Sequence, residues 1–451
     1  MELKNQNILV AGMERSGIAS VEFLLRSGAH VTAVDAKPFE HLNDAARALH
    51  DRGVPFRLQK DGGFEDFDGI VLSPGVPLDA PEVQAARERG VPVIGELELA
   101  APFLAGPTIG ITGSNGKTTT TALTGHILAD CVVPVLVGGN FGTAVTAMID
   151  TSREDQWNVL ELSSFQLEST VSFRPRIAVI LNITQNHLDR HHTMDAYADA
   201  KGRILDHQVE TDHAVLNADD EYCRRFEHRG LAKRIWFSGT RKLPSGAYLD
   251  NGQIWFGGEA VVPAADLLIR GRHNLENAMA AMEAGYLAGA ALPDIARAVT
   301  TFHAVEHRLE FVQQAGGVDF YNDSKATSID ATLKALEAFD SGVWIILGGK
   351  DKGSEYGPLR SPLTKKARAA LLIGSAAAKI ASHLEGAVDL IEAGTLENAV
   401  RIAYAKAKPG DTILLAPACS SFDQFQSYEH RGRVFKGLVH ALENREHGTT
   451  A

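Results

Sequence analysis

The run Gly110-Ile-Thr-Gly-Ser-Asn-Gly-Lys-Thr-Thr119 carries the plainest chemistry in the chain. It lies between an apolar strand and a helical stretch. A tight glycine turn in that position aims backbone N–H groups at an anion, and the helix N-terminus adds partial positive charge. Lys117 is placed to reach the β- and γ-phosphates of a nucleotide, and the Thr118 hydroxyl to bind Mg²⁺. ATP is therefore expected at Gly113, Ser114, Asn115, Gly116, Lys117, Thr118 and Thr119. The pattern departs from G-x₄-G-K-[ST] at one place. The first glycine falls on Ile111, with Gly110 and Gly113 nearby. A glycine-rich loop with an incidental lysine is the rival reading, and the order strand, turn, GKT, helix weighs against it.

Three further groups could work beside such a loop. Glu161 closes the apolar run Asn158 to Leu162, and a carboxylate at a buried strand end suits the hard cation Mg²⁺. A capping or salt-bridge role is its alternative, and Glu168 reads as an ordinary helix residue. His187 follows the run Ile177 to Asn182 and lies at a strand end, where ligands collect in α/β sheets. A lone histidine is as readily structural. Lys201, within Tyr-Ala-Asp-Ala-Lys-Gly-Arg, sits in a helical stretch and by itself reads as solvated.

The elements that must position these groups alternate between strand and helix. Asn7 to Ala11, Val31 to Asp35, Gly69 to Leu72 and Val91 to Ile94 read as strands of a first segment. Thr108 to Thr112, Asn158 to Leu162, Ile177 to Asn182 and Ala214 to Asn217 read as strands of a second, closed by a helix near 274–288. Val343 to Leu347, Ala370 to Ile373 and Thr412 to Ala416 belong to a third, with helices at 376–383 and 396–405 between them. Alternation of this kind implies parallel sheets. The expectation is an α/β chain of three domains, 1–104, 105–306 and 307–451. The 451 residues agree with about three units of roughly 150.

A formal net charge of -12 excludes general attraction to nucleic acid or an anionic membrane, so an anionic ligand needs local cations. Cys131, Cys223 and Cys419 are far apart and form no CxxC pair, which argues against a zinc site and a disulfide framework. The opening MELKNQNILVAG lacks the features of a signal peptide, and no stretch reaches the roughly 18 to 20 apolar residues that span a bilayer. A soluble, cytoplasmic protein is expected.

The motifs GSNGKTTT, GGNFG, ELSSFQLE, NITQNHLDRH, GRHNLENAMAA, HRLE, NDSKAT, GGKDKG and LAPACSSFDQFQSYEHRG occur in this order. With them the chain resembles the Mur ligase family over nearly its full length. ELSSFQLE and NDSKAT look like the member that adds D-glutamate, and the DNPR-type motif of the diaminopimelate- or lysine-adding member is missing. The resemblance implies a Rossmann-like first domain for a UDP substrate, a central P-loop-type ATPase domain with a mostly parallel sheet, and a Rossmann-like last domain for the amino acid. It implies ligation of D-glutamate to UDP-N-acetylmuramoyl-L-alanine in peptidoglycan precursor synthesis, and thereby a part in cell-wall biogenesis, cell shape and division. ATP and two Mg²⁺ ions are implied, as is a monomer.

The same resemblance assigns residues. Lys201 matches a lysine carried as a carbamate, which turns a cation into an oxygen donor. Glu161 and His187 match metal-associated positions, giving a metal set of Thr118, Glu161, His187 and Lys201, with Lys117, Lys201 and His187 as the catalytic group. Asn140 matches a contact to the muramoyl substrate, which His187 also faces. Asn274, Arg308 and Asp323 match nucleotide contacts, with Asn277 a weaker candidate. Lys325, Thr327, Lys352, Ser421 and Tyr428 match positions around the amino acid. Family members often carry Phe where Tyr428 stands.

The turn Gly12-Met-Glu-Arg-Ser-Gly17 resembles a dinucleotide turn, but Glu14 stands where the middle glycine belongs. A carboxylate there would repel a pyrophosphate, so NAD and FAD are discounted. In the family this loop holds UDP instead: Arg15 and Ser16 would meet the diphosphate, with Asp35 near the uracil and Ser73 and Gly75 on the second contact turn. Arg15 is expected to offset both the missing glycine and the charge of Glu14. Two structural turns are the alternative. Separate domains imply closure before chemistry.

Overall fold

The computed structural model describes residues 3–446. The chain forms two compact units, Met1–Pro263 with Glu276–Val299, and Ala264–Leu275 with Thr300–Ala451.

The first unit opens with β1 (Asn7–Ala11), β2 (His30–Asp35), β3 (Phe56–Leu58), β4 (Gly69–Leu72) and β5 (Val93–Gly95). They form a parallel sheet in the order β3-β2-β1-β4-β5. The order reverses beside β1, and ligands in such sheets bind at the carboxyl ends of the strands at that switch point. The loops carrying Gly12 and Ser73 leave β1 and β4 there. β5 begins two residues later than the apolar pattern suggests, because Pro92 cannot donate to the ladder.

A second parallel sheet in the same unit comprises β6 (Thr108–Thr112), β7 (Val135–Gly139), β8 (Trp157–Glu161), β9 (Ile177–Ile180), β10 (His213–Asn217) and β11 (Lys233–Phe237). Its order is β11-β10-β9-β6-β8-β7. Every residue of β6 and β9 is buried, and β9 accordingly reads as a continuous apolar run, while β6 places Thr108 and Thr112 at its two ends. β6 lies between β8 and β9, so the loops after these three strands share one edge. β9 stops at Ile180, and Asn182 leaves the ladder to bond the glycine loop. The strands β12 (Ala247–Asp250), β13 (Gln253–Phe256) and β14 (Glu259–Pro263) form an antiparallel sheet that the sequence reading did not foresee.

The second unit holds β15 (Glu310–Ala315), β16 (Val318–Asn322), β17 (Val343–Gly348), β18 (Ala367–Ile373), β19 (Asp389–Gly394) and β20 (Thr412–Leu415). The order is β15-β16-β20-β17-β18-β19, and only β15 runs antiparallel. Apolar clusters pack on both faces of this sheet. The fold is mixed α/β with mostly parallel sheets, as expected. No described helix is long and apolar enough to cross a membrane.

Candidate active site

The glycine loop occupies Gly113 to Gly116, between β6 and the helix Lys117–Asp130. Ile111 is a fully buried strand residue, so the turn begins two residues later than the usual spacing. Gly116 has φ +85°, and a Cβ there would overlap the Asn277 side-chain oxygen. Glycine is needed both for the left-handed backbone and for the close approach. Asn182 fixes the loop from just beyond the end of the neighbouring β9. Its Oδ1 accepts from the Asn115 N–H at 2.9 Å, and its Nδ2 donates to the Asn115 carbonyl at 3.2 Å. The Ser114 hydroxyl donates to the Thr184 carbonyl at 2.9 Å and lies 3.0 Å from the Tyr197 hydroxyl. Lys117 folds back over the loop, donating to the carbonyls of Gly113 at 2.8 Å and Ser114 at 3.0 Å. Its charge thus stands where phosphates would approach.

Glu161, at the end of β8, is buried beside this loop. The Thr118 hydroxyl donates to its Oε2 at 2.7 Å and the Asn140 amide to its Oε1 at 2.8 Å. Thr118 and Asn140 therefore converge on the Glu161 carboxylate. An oxygen pair of this kind fits a hard cation such as Mg²⁺.

Lys201 is 1% exposed, which overturns its reading as a solvated lysine. Its ammonium donates to the Gly113 carbonyl at 2.8 Å and lies 4.9 Å from the centre of the Tyr197 ring. Burial, reinforced by the Lys117 charge, holds its pKa well below the usual lysine value, against a partial offset from Glu161. His187 has φ +53°, a left-handed backbone that non-glycine residues seldom adopt, and such strain collects at functional sites. Burial and then the charges of Lys117 and Lys201 lower its pKa, which favours the neutral imidazole. Its ring lies 4.9 Å from that of Phe165. An amine is a poor ligand for a hard cation, so Lys201 fits a metal only in an oxygen-bearing form.

Around the Gly12 turn, the carboxylate of Asp35 accepts from the backbone N–H groups of Met13 at 2.7 Å and Lys37 at 2.9 Å. The Ser73 hydroxyl donates to the Gly12 carbonyl at 2.7 Å, tying the two turns together. Ser16 is half-buried and Gly75 exposed. Glu14 pairs with Lys37 at 2.6 Å, so Lys37 answers the charge that Arg15 was expected to offset. Arg15 instead reaches the second sheet, donating to the carbonyls of Gly142 at 2.6 Å and Asn140 at 2.9 Å. Asn140 is thereby held from both sides.

In the second unit, Lys325 stands 3.8 Å above the centre of the Tyr428 ring. The ring steers the ammonium through its electron-rich face. Thr327 donates its N–H to the Lys325 carbonyl at 2.7 Å. Asp323 follows β16, and burial pushes its carboxyl up to about 7 despite Arg308. Asn274 donates its amide to the Arg270 carbonyl at 2.8 Å. Lys352 is exposed on the loop after β17. That loop is joined to the one after β20 by the Lys350 N–H to Ser420 carbonyl bond at 2.9 Å. The Ser421 hydroxyl is buried without a hydrogen-bond partner, so its capacity to bond is unspent.

Several supporting groups escaped the sequence reading. Glu168 is not an ordinary helix residue; it is largely buried and paired with Arg190. Arg431 is fully buried, donating to the Ser324 carbonyl at 2.8 Å and the Cys419 carbonyl at 3.2 Å. An arginine within the charged run Tyr-Glu-His-Arg-Gly-Arg gives no local sign of burial. Asn182 and Tyr197 could have been suspected from their places in NITQNH and beside Lys201.

Three family models match the chain. They are described as "Mur ligase MurD-like, N-terminal domain" over residues 6–95, "Mur ligase middle domain" over 111–285 and "Mur ligase, glutamate ligase domain" over 307–419. A UDP-N-acetylmuramoylalanine–D-glutamate ligase of Solibacter usitatus is 58% identical, covering 99% of this chain and 100% of its own. One so named from Acidobacterium capsulatum is 52% identical over 97% of each. Among solved structures, a UDP-N-acetylmuramate–alanine ligase of Thermotoga maritima superposes with a TM-score of 0.61 at 18% identity, covering 97% of this chain and 100% of that one. A MurF ligase of Thermotoga maritima in complex with ADP gives 0.61 at 17%, covering 98% and 96%. At such identities the likeness concerns the fold.

Proposed function

The chain belongs to the Mur ligase family, and from that premise we propose that it ligates D-glutamate to UDP-N-acetylmuramoyl-L-alanine at the expense of ATP. The observation that carries this reading is the convergence of Thr118, Asn140 and Lys201 on the glycine loop and Glu161. That arrangement supports a reading in which a phosphate site, a cation site and the muramoyl-contact residue lie together. In the first step a carboxylate oxygen of the substrate bonds to the γ-phosphorus of ATP, the bond to the β-bridging oxygen breaks, and ADP leaves. In the second, the D-glutamate amine attacks the acyl carbon. It loses a proton, and phosphate departs with the former carboxylate oxygen.

Two anions must meet in the first step. Lys117 and the N-terminus of helix Lys117–Asp130 reduce that repulsion and stabilise the spread charge. Thr118 and Glu161 would hold one Mg²⁺, which supplies charge neutralisation. His187 and a carbamylated Lys201 would hold a second. Burial and the Lys117 charge shift Lys201 toward the unprotonated amine, the form that can attack CO₂. Arg15 holds the Asn140 and Gly142 backbone and would orient the muramoyl end, while Ser16, Asp35, Ser73 and Gly75 would face UDP. Asn274, Arg308 and Asp323 would face the nucleotide. Lys325 and Lys352 would pair with the two carboxylates of D-glutamate, with Thr327, Ser421 and Tyr428 shaping its pocket. We assign UDP binding to 1–104, ATP to 105–306 and the amino acid to 307–451, in a cytoplasmic monomer.

The test uses substrate whose terminal carboxylate is labelled with ¹⁸O. One labelled oxygen should appear in the released phosphate. Unlabelled phosphate would rule out the acyl phosphate.

A further inference from the structure

Glu283, on the helix Arg272–Leu287, has no part in the chemistry above. Its side chain is 2% exposed, and its Oε1 is buried without a hydrogen-bond partner. A buried orphan oxygen is uncommon and calls for a physical explanation. It lines a cavity of about 350 Å³ between β13, the Gly246 turn and the helices Arg272–Leu287 and Leu292–Thr301. That volume is within the range of small-molecule sites. Gly246 has φ +87°, and a Cβ there would come within 3.4 Å of Glu283 Oε1. The oxygen therefore lies against the backbone wall of the cavity.

The remaining walls set the chemistry of an occupant. Ile235, Phe256, Leu292 and the ring of Tyr286 are apolar, and Phe256 and Tyr286 meet edge to face at 5.0 Å. Glu259 supplies a second carboxylate, and no lining residue is basic. Aromatic faces and carboxylates both favour positive charge, and the apolar walls favour a flat carbon body. Burial raises the Glu283 pKa, as expected of a carboxyl group kept from its counter-charge.

We propose that this cavity binds a small organic cation with a flat apolar body, such as an aryl amidine, whose N–H groups meet the Glu283 carboxylate. The site is independent of the ligase reading, since none of its lining residues belongs to the groups assigned above.

The test is calorimetric titration of the full chain with benzamidine, and with benzamide as the uncharged analogue of the same shape. Saturable one-to-one binding of benzamidine is expected, at least about tenfold tighter than benzamide, a difference of about 1.4 kcal/mol. Glu283→Gln should weaken benzamidine about tenfold or more. Tyr286→Ala, at an exposed side chain, should also weaken it and leave ATP-dependent phosphate release unchanged. The Tyr286→Ala comparison gives a second readout that does not depend on changing Glu283. No saturable binding, equal binding of amidine and amide, or binding unchanged in the folded variants would overturn the proposal and leave a cavity that holds water.

Discussion

Replacing Glu283 by glutamine should stabilise the protein, and increasingly so as pH rises. Burial pushes the carboxyl from an ordinary 4.5 up to about 8, only partly offset by the Ala247 backbone N–H. Below pH 4.5 the group is neutral in both folded and unfolded chains and contributes nothing. Between 4.5 and 8 the unfolded chain loses this proton while the native state keeps it, so stability falls as pH rises. Above 8 the penalty levels off. At about 1.4 kcal/mol per unit, the full gap is about 5 kcal/mol, with about 3 of it present at pH 7 and under about 1 at pH 5. Relaxation and water entry make these upper figures. Glutamine keeps the shape and stays neutral throughout. Urea and thermal unfolding of both proteins from pH 5 to 8.5 would read the effect. The expected result is a gap that opens with pH, the variant being the more stable at pH 8. An equal gap at pH 5 and 8, or a less stable variant at pH 8, would refute the placement of this carboxyl.

Gly116→Ala should lower ATP-dependent phosphate release at least about tenfold, because a left-handed alanine costs roughly 1–2 kcal/mol and its Cβ overlaps Asn277; unchanged steady-state kinetics would count against the loop as the phosphate site. Lys352→Ala should raise the KM for D-glutamate about tenfold and leave that for ATP nearly unchanged, on the scale of a lost charge-assisted hydrogen bond. Equal rises in both constants would move Lys352 out of the amino-acid pocket. Arg15→Ala removes two hydrogen bonds to the Asn140 and Gly142 carbonyls. It should raise the KM for the UDP substrate several-fold, roughly 1 kcal/mol at an exposed site; an unchanged value would assign Arg15 to structure alone.

Much of this was legible in residue order. β9 is buried on both faces and shows as an apolar run whose end marks the site, and β6 was legible from the buried strand that runs straight into the glycine turn. The glycine loop was legible for the same reason, together with its GKT tail. The strands of the antiparallel sheet were not. β14 is largely exposed, and its Glu259-Ala-Val-Val-Pro263 lacks regular alternation. Lys201 shows the limit most plainly. In local sequence it is a lysine near the end of a short helix of alanines and aspartates, and only its packing onto the distant Gly113, beside Tyr197, shows it to be buried. The partner of Glu14 was misjudged for a similar cause. Arg15 is adjacent in sequence, but its side chain crosses to the second sheet, while Lys37 arrives from the end of β2.

The central claim is tested most directly by phosphate release with ATP, Mg²⁺ and UDP-N-acetylmuramoyl-L-alanine, comparing D-glutamate with L-glutamate, lysine and diaminopimelate. Release that depends on D-glutamate alone is the predicted result. Release with a different amino acid, or with none of the four, would contradict it.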